Sequence, residues 1–237
     1  MWFPDVLVPS PCWRAENKTE ETDMKTYRAL AITLSAGMVS TAGAQVISNG
    51  DLTGPVGASI APTDWFSWSG SVDTCDTTGP FNSTGNPWVL SPNGGTFVRG
   101  GANNFGVNEA FAQDLTGFTA GQVYTVEFYI TNLGFNGGSW NGEDGFWRMY
   151  ADGVAFGDTV TLSKPIAVAD DIAWTFGTLS FIAPANDFEL AIASQWAGTT
   201  GSAAYMGIDG INIRPVPTPA TLALLGAAGL AAARRRR

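Results

Sequence analysis

Between Gln45 and Arg214 the chain is a series of short alternating runs divided by clusters of Gly, Asn, Asp and Pro, and no stretch holds a 3.6-residue apolar period. Tyr124-Thr125-Val126-Glu127-Phe128-Tyr129-Ile130 shows the pattern at its clearest, with β-branched and aromatic residues at period two. Phe146 to Tyr150 is a second such run, ended by the turn Ala151-Asp152-Gly153. Thr175 to Ile182 and Phe188 to Ser194 read as a pair divided by a turn at Pro184-Ala185-Asn186-Asp187, and Tyr205 to Ile213 reads as the last strand. Strands that alternate need a covered face and an open one, and many short ones close best as two packed sheets. The expectation is an all-β domain, an antiparallel two-sheet β-sandwich. The 29 glycines, 9 tryptophans and 14 phenylalanines suit turns and a thick aromatic core.

Charge and missing residue types then exclude whole classes of chemistry. Charged residues are only 14% and hydrophobic ones 45%, which is no disordered composition. From Gln45 to Pro219 the only cations are Arg99, Arg148, Lys164 and Arg214, against sixteen carboxylates. Such a surface repels phosphate backbones, so no nucleic-acid partner is expected. Histidine is absent, which removes the commonest zinc ligand, the commonest general base and the serine and cysteine triads. Of the two cysteines, Cys12 lies in the leading segment, so the body keeps Cys75 alone and has no internal disulfide. Cys75 then either pairs between chains or stays a free thiol.

Both ends read as addresses. From Met24, Lys25 and Arg28 form a positive region, Ala29 to Val39 an apolar stretch, and Ala42-Gly43-Ala44 a small-residue cleavage site, so residues 24–44 are expected to be a signal peptide. Residues 1–23 are polar and precede it; either translation starts at Met24 or they are a soluble extension. At the other end Pro215, Pro217 and Pro219 mark an extended linker. Thr221 to Ala233 is uncharged and apolar, and Arg234 to Arg237 close the chain. As a helix that apolar run spans about 20 Å, short of a hydrocarbon core of roughly 30 Å. The order of proline-rich motif, short apolar helix and basic terminus closely resembles the PEP-CTERM sorting tail. The resemblance implies an exosortase that cuts near Val216-Pro217-Thr218-Pro219-Ala220-Thr221, with signal peptidase at the other end. Here Thr218 or Ala220 stands where that family has glutamate. The alternative is a plain tail anchor. These readings divide the chain into 1–23, a signal peptide 24–44, a β-domain 45–214 and a sorting tail 215–237.

Three phrases in the body carry a second resemblance. Val46-Ile47-Ser48-Asn49-Gly50-Asp51-Leu52 opens it, AFAQDLTGFTAGQVYTVEF from Ala110 to Phe128 occupies the middle, and Met206-Gly207-Ile208-Asp209-Gly210-Ile211-Asn212-Ile213 closes it. In that order they resemble the galactose-binding-like jelly roll of carbohydrate-binding modules. The resemblance implies a structural calcium joining the first and last strands, with Asp51 and Asp209 as carboxylate ligands and backbone near Asn49. Thr53 replaces the family's glutamate there, and both aspartates also read as ordinary turn or edge residues.

A polysaccharide partner needs rings to cover the apolar faces of sugars and polar groups to meet hydroxyls. Trp140, set among small polar neighbours with Asn141 and Asp144, is the first candidate, and Trp65 and Trp68 are the next. Trp147 and Trp174 read as core. Glycoside hydrolysis would need two carboxylates across a cleft. Glu109, Glu127, Glu143-Asp144 and Asp170-Asp171 are available, but no signature joins them. The expected function is a non-catalytic, exported, exosortase-sorted protein of the cell surface or extracellular matrix with a carbohydrate-binding domain. The alternatives are a structural matrix or envelope protein without a small ligand, and a divergent jelly-roll glycosidase.

Overall fold

The structure, a computed structural model, describes residues 47–81, 88–134, 142–165, 172–200 and 203–217. The signal peptide, residues 1–23 and the tail from Thr218 onward lie outside the described residues, as do Ala42, Ala44, Pro219, Ala220 and Thr221. The described residues form ten strands: β1 (Phe66–Ser69), β2 (Asp73–Cys75), β3 (Phe97–Ala102), β4 (Ala110–Leu115), β5 (Val123–Asn132), β6 (Gly145–Ala151), β7 (Val154–Asp158), β8 (Thr175–Ile182), β9 (Phe188–Trp196) and β10 (Ala204–Pro215). They make two five-stranded sheets, in the orders β1-β4-β9-β6-β7 and β2-β3-β10-β5-β8. Every pairing between them is antiparallel. No helix among the described residues is long and apolar enough to cross a membrane.

Side chains alternate across each strand, and both sheets turn one face inward. Phe111, Trp147, Met149, Leu190 and Ile192 from the first sheet meet Val98, Val126, Phe128, Ile130, Met206 and Ile208 from the second in one apolar core. Burial of rings this large is the main favourable term for such a fold. Trp147 is its centrepiece: fully buried, edge-on to Phe111, with Nε1 donating to the Gly207 carbonyl at 3.1 Å. A Cβ at Gly100 would stand 2.7 Å from the Trp147 ring, so the indole requires glycine on the facing strand.

One expectation about pairing fails. Strands β8 and β9 are both present but do not pair with each other; β8 pairs with β5, and β9 lies between β4 and β6. The connection at Pro184–Asp187 carries the chain from one sheet to the other. Local turn chemistry cannot tell such an arch from a hairpin, because both need the same residues to reverse the chain.

Candidate functional site

The outward face of the first sheet combines exposed rings with polar groups. Register fixes who shares it: Phe66 lies opposite Ala112, Ala112 opposite Ala191, and Ala191 opposite Tyr150, while Ala110, Ala193 and Arg148 form the next row. The four alanines point away from the core, yet they are buried. Trp68 of β1 and Tyr150 of β6 account for this. Their strands are separated by β4 and β9, a span of about 14 Å at ordinary strand spacing. Even so, the two ring centroids are 5.3 Å apart, so the rings lean inward and meet above the alanine floor. Trp68 stays 39% exposed and Phe66 42%. Arg148 lies 5.7 Å from the Phe146 ring and makes a two-pronged pair with Asp158 at 2.6 and 2.8 Å. That contact holds the Asp158 carboxyl below its usual range.

Polar groups close both ends of this face. At one end Asn108 Nδ2 donates to Gln195 Oε1 at 3.3 Å, and Gln195 Nε2 is buried with no hydrogen-bond partner. A buried amide left without an acceptor is costly, so an outside oxygen would stabilise it. At the other end Asp114 and Glu189 lie directly opposite one another. Donors, a flat apolar middle and acceptors along one face are what a glycan's hydroxyls and ring faces need.

The residues predicted from sequence fall in several places. Trp68 is on this face. Trp65 is in the core, 6% exposed, with its ring 5.0 Å from Phe111 and its Nε1 donating to the Asn49 carbonyl. It offers a ligand nothing. Asp144 accepts from the Lys164 backbone amide and so braces its own loop. Trp140 and Asn141 lie outside the described residues. Sequence reasoning missed Phe66, Phe146, Arg148, Tyr150, Asn108 and Gln195. The available signal was Phe146, Arg148 and Tyr150 at period two beside the Ala191 and Ala193 pattern.

The acids singled out as catalytic candidates are spread out. Glu127 is paired with Arg214 at 2.5 Å. Glu143 accepts from the Thr200 hydroxyl, which lowers its pKa, and lies 3.7 Å from the Lys164 amine. Glu109 accepts from the Gly101 amide at 2.6 Å, and burial raises its pKa. Asp170 and Asp171 are outside the described residues. All four cations of the body are engaged by carboxylates, since Arg99 pairs with Asp73 at 2.5 Å.

The first and last segments do meet where the calcium resemblance places its ligands. Ile211 N donates to the Gly50 carbonyl at 2.7 Å, and Gly210, at φ +65°, turns the β10 bulge. Asp209 is buried; its carboxylate accepts from the Ser91 hydroxyl and from the Gly210 amide. Asn93 Nδ2 donates to Asp51 at 3.3 Å. Burial pushes the Asp209 carboxyl up to about 7, with the Asp51 charge adding to the rise. Two acids sharing a cluster with Ser91 and Asn93 supply hard oxygen donors of the type calcium takes. Thr53 is turned to Asn49, donating through both its amide and its hydroxyl to Asn49 Oδ1.

No protein-family model matches the chain, and no curated protein matches it. Solved structures give looser likenesses. A sugar-binding protein, the EclA C-terminal domain, is similar at 25% identity over 44% of this chain, which spans 64% of that domain, with a TM-score of 0.31. A xylan-binding domain from Paenibacillus barcinonensis is similar at 14% identity, covering 65% of this chain and 86% of that one, with a TM-score of 0.37. A cyclase from Fischerella sp. TAU is similar at 14% identity, covering 66% and 87%, with a TM-score of 0.41. Binding domains and an enzyme stand side by side among these likenesses.

Proposed function

We propose that this is an exported, exosortase-sorted protein of the cell surface or extracellular matrix. Its galactose-binding-like sandwich binds polysaccharide without cleaving it. The observation that carries the binding half is the outward face of the β1-β4-β9-β6-β7 sheet, where Trp68 stays open and Gln195 Nε2, at one end, has no partner. Trp68 stacks on a sugar ring, and Gln195 Nε2, buried in the free protein, donates to a hydroxyl once its side chain turns outward. With every body cation already paired, the ligand is held by stacking and neutral hydrogen bonds. Affinity electrophoresis of the protein through gels containing a panel of polysaccharides tests it. Retardation by at least one glycan, lost in Trp68→Ala, is expected. A folded protein that no glycan retards would favour the structural matrix reading. Release of reducing ends from the same panel would favour a glycosidase, with Asp114 and Glu189 the first pair to test.

The sorting half rests on the signal-like residues 24–44 and on the tail described above. Terminal mass spectrometry of the native protein should find a start at Gln45 and loss of residues beyond about Pro219. Arg237 retained in a membrane fraction would favour the plain anchor.

Calcium belongs to the same reading, held by Asp51, Asp209, Asn93 and Ser91 at the seam of the first and last segments. Its test also fixes a sign. The folded Asp209 pKa, about 7, is raised above the ordinary 3.8. Its contribution is therefore fully present below 3.8 and is lost as pH rises through 7. Without calcium, Tm should fall over that window, and Asp209→Asn should flatten the fall. Calcium should raise Tm mainly above pH 7, where Asp209 is ionised. No rise there would remove the calcium site and leave Asp209 a buried acid.

A further inference from the structure

Each sheet has two edge strands, and three of the four edges are protected. Strand β1 is four residues long with a register shift between Ser67 and Ser69. Strand β2 is three residues long and carries Asp73. Strand β7 is five residues long, pairs with β6 through a shift at Met149/Tyr150, and ends on Asp158. Shortness, bulges and charge are the usual means by which an edge is kept from pairing with another chain.

Strand β8 has none of them. It runs eight residues, Thr175–Ile182, in unbroken register along β5 from Ile130↔Thr175 to Val123↔Ile182. No charged residue occurs between Asp171 and Asp187, in a body with four cations and sixteen carboxylates. Among the described residues no strand pairs with its other side. Its outward side chains are Phe176, Thr178, Ser180 and Ile182, with Phe176 54% and Ile182 64% exposed. Phe176 is extended by Tyr129, 5.4 Å away on β5, into a wider apolar surface.

We infer that β8 is a self-association edge, and that its occupant is β8 of a second copy of this chain, antiparallel about a two-fold axis through Leu179. That register keeps outward residues with outward ones. Phe176 lies opposite Ile182 of the second copy, Thr178 opposite its Ser180, and Gly177 opposite its Phe181. Each contact occurs twice, as an isologous interface requires. The apolar pair removes its exposed surface from water, and the Thr–Ser pair satisfies both hydroxyls across the strands. A strongly acidic body repels its own copies, so association is favoured where the surface carries no charge. The two β2-β3-β10-β5-β8 sheets then join into one continuous sheet.

Sedimentation velocity of the full chain over a wide concentration range tests this. The wild type should show a concentration-dependent dimer. Ser180→Glu, at an exposed position, should weaken it about tenfold, because the new carboxylate enters twice and faces the Glu127 side of the second copy. Adding Thr178→Lys to Ser180→Glu should restore the dimer by placing lysine opposite glutamate. Far-UV spectra and Tm confirm that each variant is folded. A wild type that stays monomeric overturns the inference. So does a dimer indifferent to Ser180→Glu, or a double variant no better than the single one.

Discussion

The two outward faces of the sandwich differ in how they are finished. On the β2-β3-β10-β5-β8 sheet, Phe97, Cys75, Trp88, Leu133 and Ile172 build a second apolar cluster against the outside, joined by Phe81 and Trp174. Beside it the Arg99 guanidinium lies 4.5 Å from the Phe81 ring and 3.8 Å from Tyr205, while pairing with the buried Asp73. Around β2 and β3 that face is covered by its own chain. Burial there also pushes the Cys75 thiol well above its ordinary pKa, so it is inert as a nucleophile. On the β1-β4-β9-β6-β7 sheet the centre is alanine, and the rings above it remain open. A sealed face contributes stability; an open one bears a standing cost that a ligand can recover.

Substitutions on the two faces should therefore separate stability from binding. The largest effect belongs to the sealed side. Arg99→Leu strands the Asp73 carboxylate, buried and holding only the Ser59 amide, and should cost about 3–5 kcal/mol in urea unfolding. A loss under about 1 kcal/mol would mean that water reaches this pair. Next, on the open side, Trp68→Ala should weaken glycan affinity at least about tenfold in calorimetry, with stability changed by no more than about 1 kcal/mol. If the order reversed, with folding lost and affinity kept, Trp68 would be a structural clamp on the alanine floor. Ala191→Leu should push the Trp68–Tyr150 pair apart, costing about 1–2 kcal/mol in stability and reducing affinity as well. An unchanged Tm would show that the floor has spare room. The smallest effect is expected from Gln195→Leu, which removes the unpartnered Nε2 together with the oxygen that accepts from Asn108. Stability should hold or rise slightly while affinity falls by about 1 kcal/mol. Unchanged affinity would exclude Nε2 as a ligand donor.

Which parts of this were readable beforehand follows from the range of the forces. Strands β5, β6 and β10 announce themselves because alternation is a local property. That β8 and β9 belong to opposite sheets is a long-range fact about which faces must be covered. Trp65 and Trp68 stand three residues apart in similar surroundings, yet one is core and the other open. An odd separation puts them on opposite faces of an extended segment, and only the pairing of β1 with β4 decides which face is covered. Tyr150 is half of the ring pair only because β4 and β9 carry alanine between it and Trp68, a match among four strands distant in sequence. The Arg99 cage likewise joins β2, β3, β10 and the Phe81 turn.

The end of β10 has a mechanical consequence. Val216 donates its amide to the Val123 carbonyl at 2.9 Å, and its own carbonyl accepts from Gln122 Nε2 at 2.8 Å, just before the chain leaves at Pro217. β10 runs between β3 and β5 in the middle of its sheet. A pull transmitted through the tail would thus act along a strand flanked by ladders on both sides and load their bonds together in shear. Force applied at the C-terminal end of β10 would be met by many bonds at once, and the domain would yield there only when they break together.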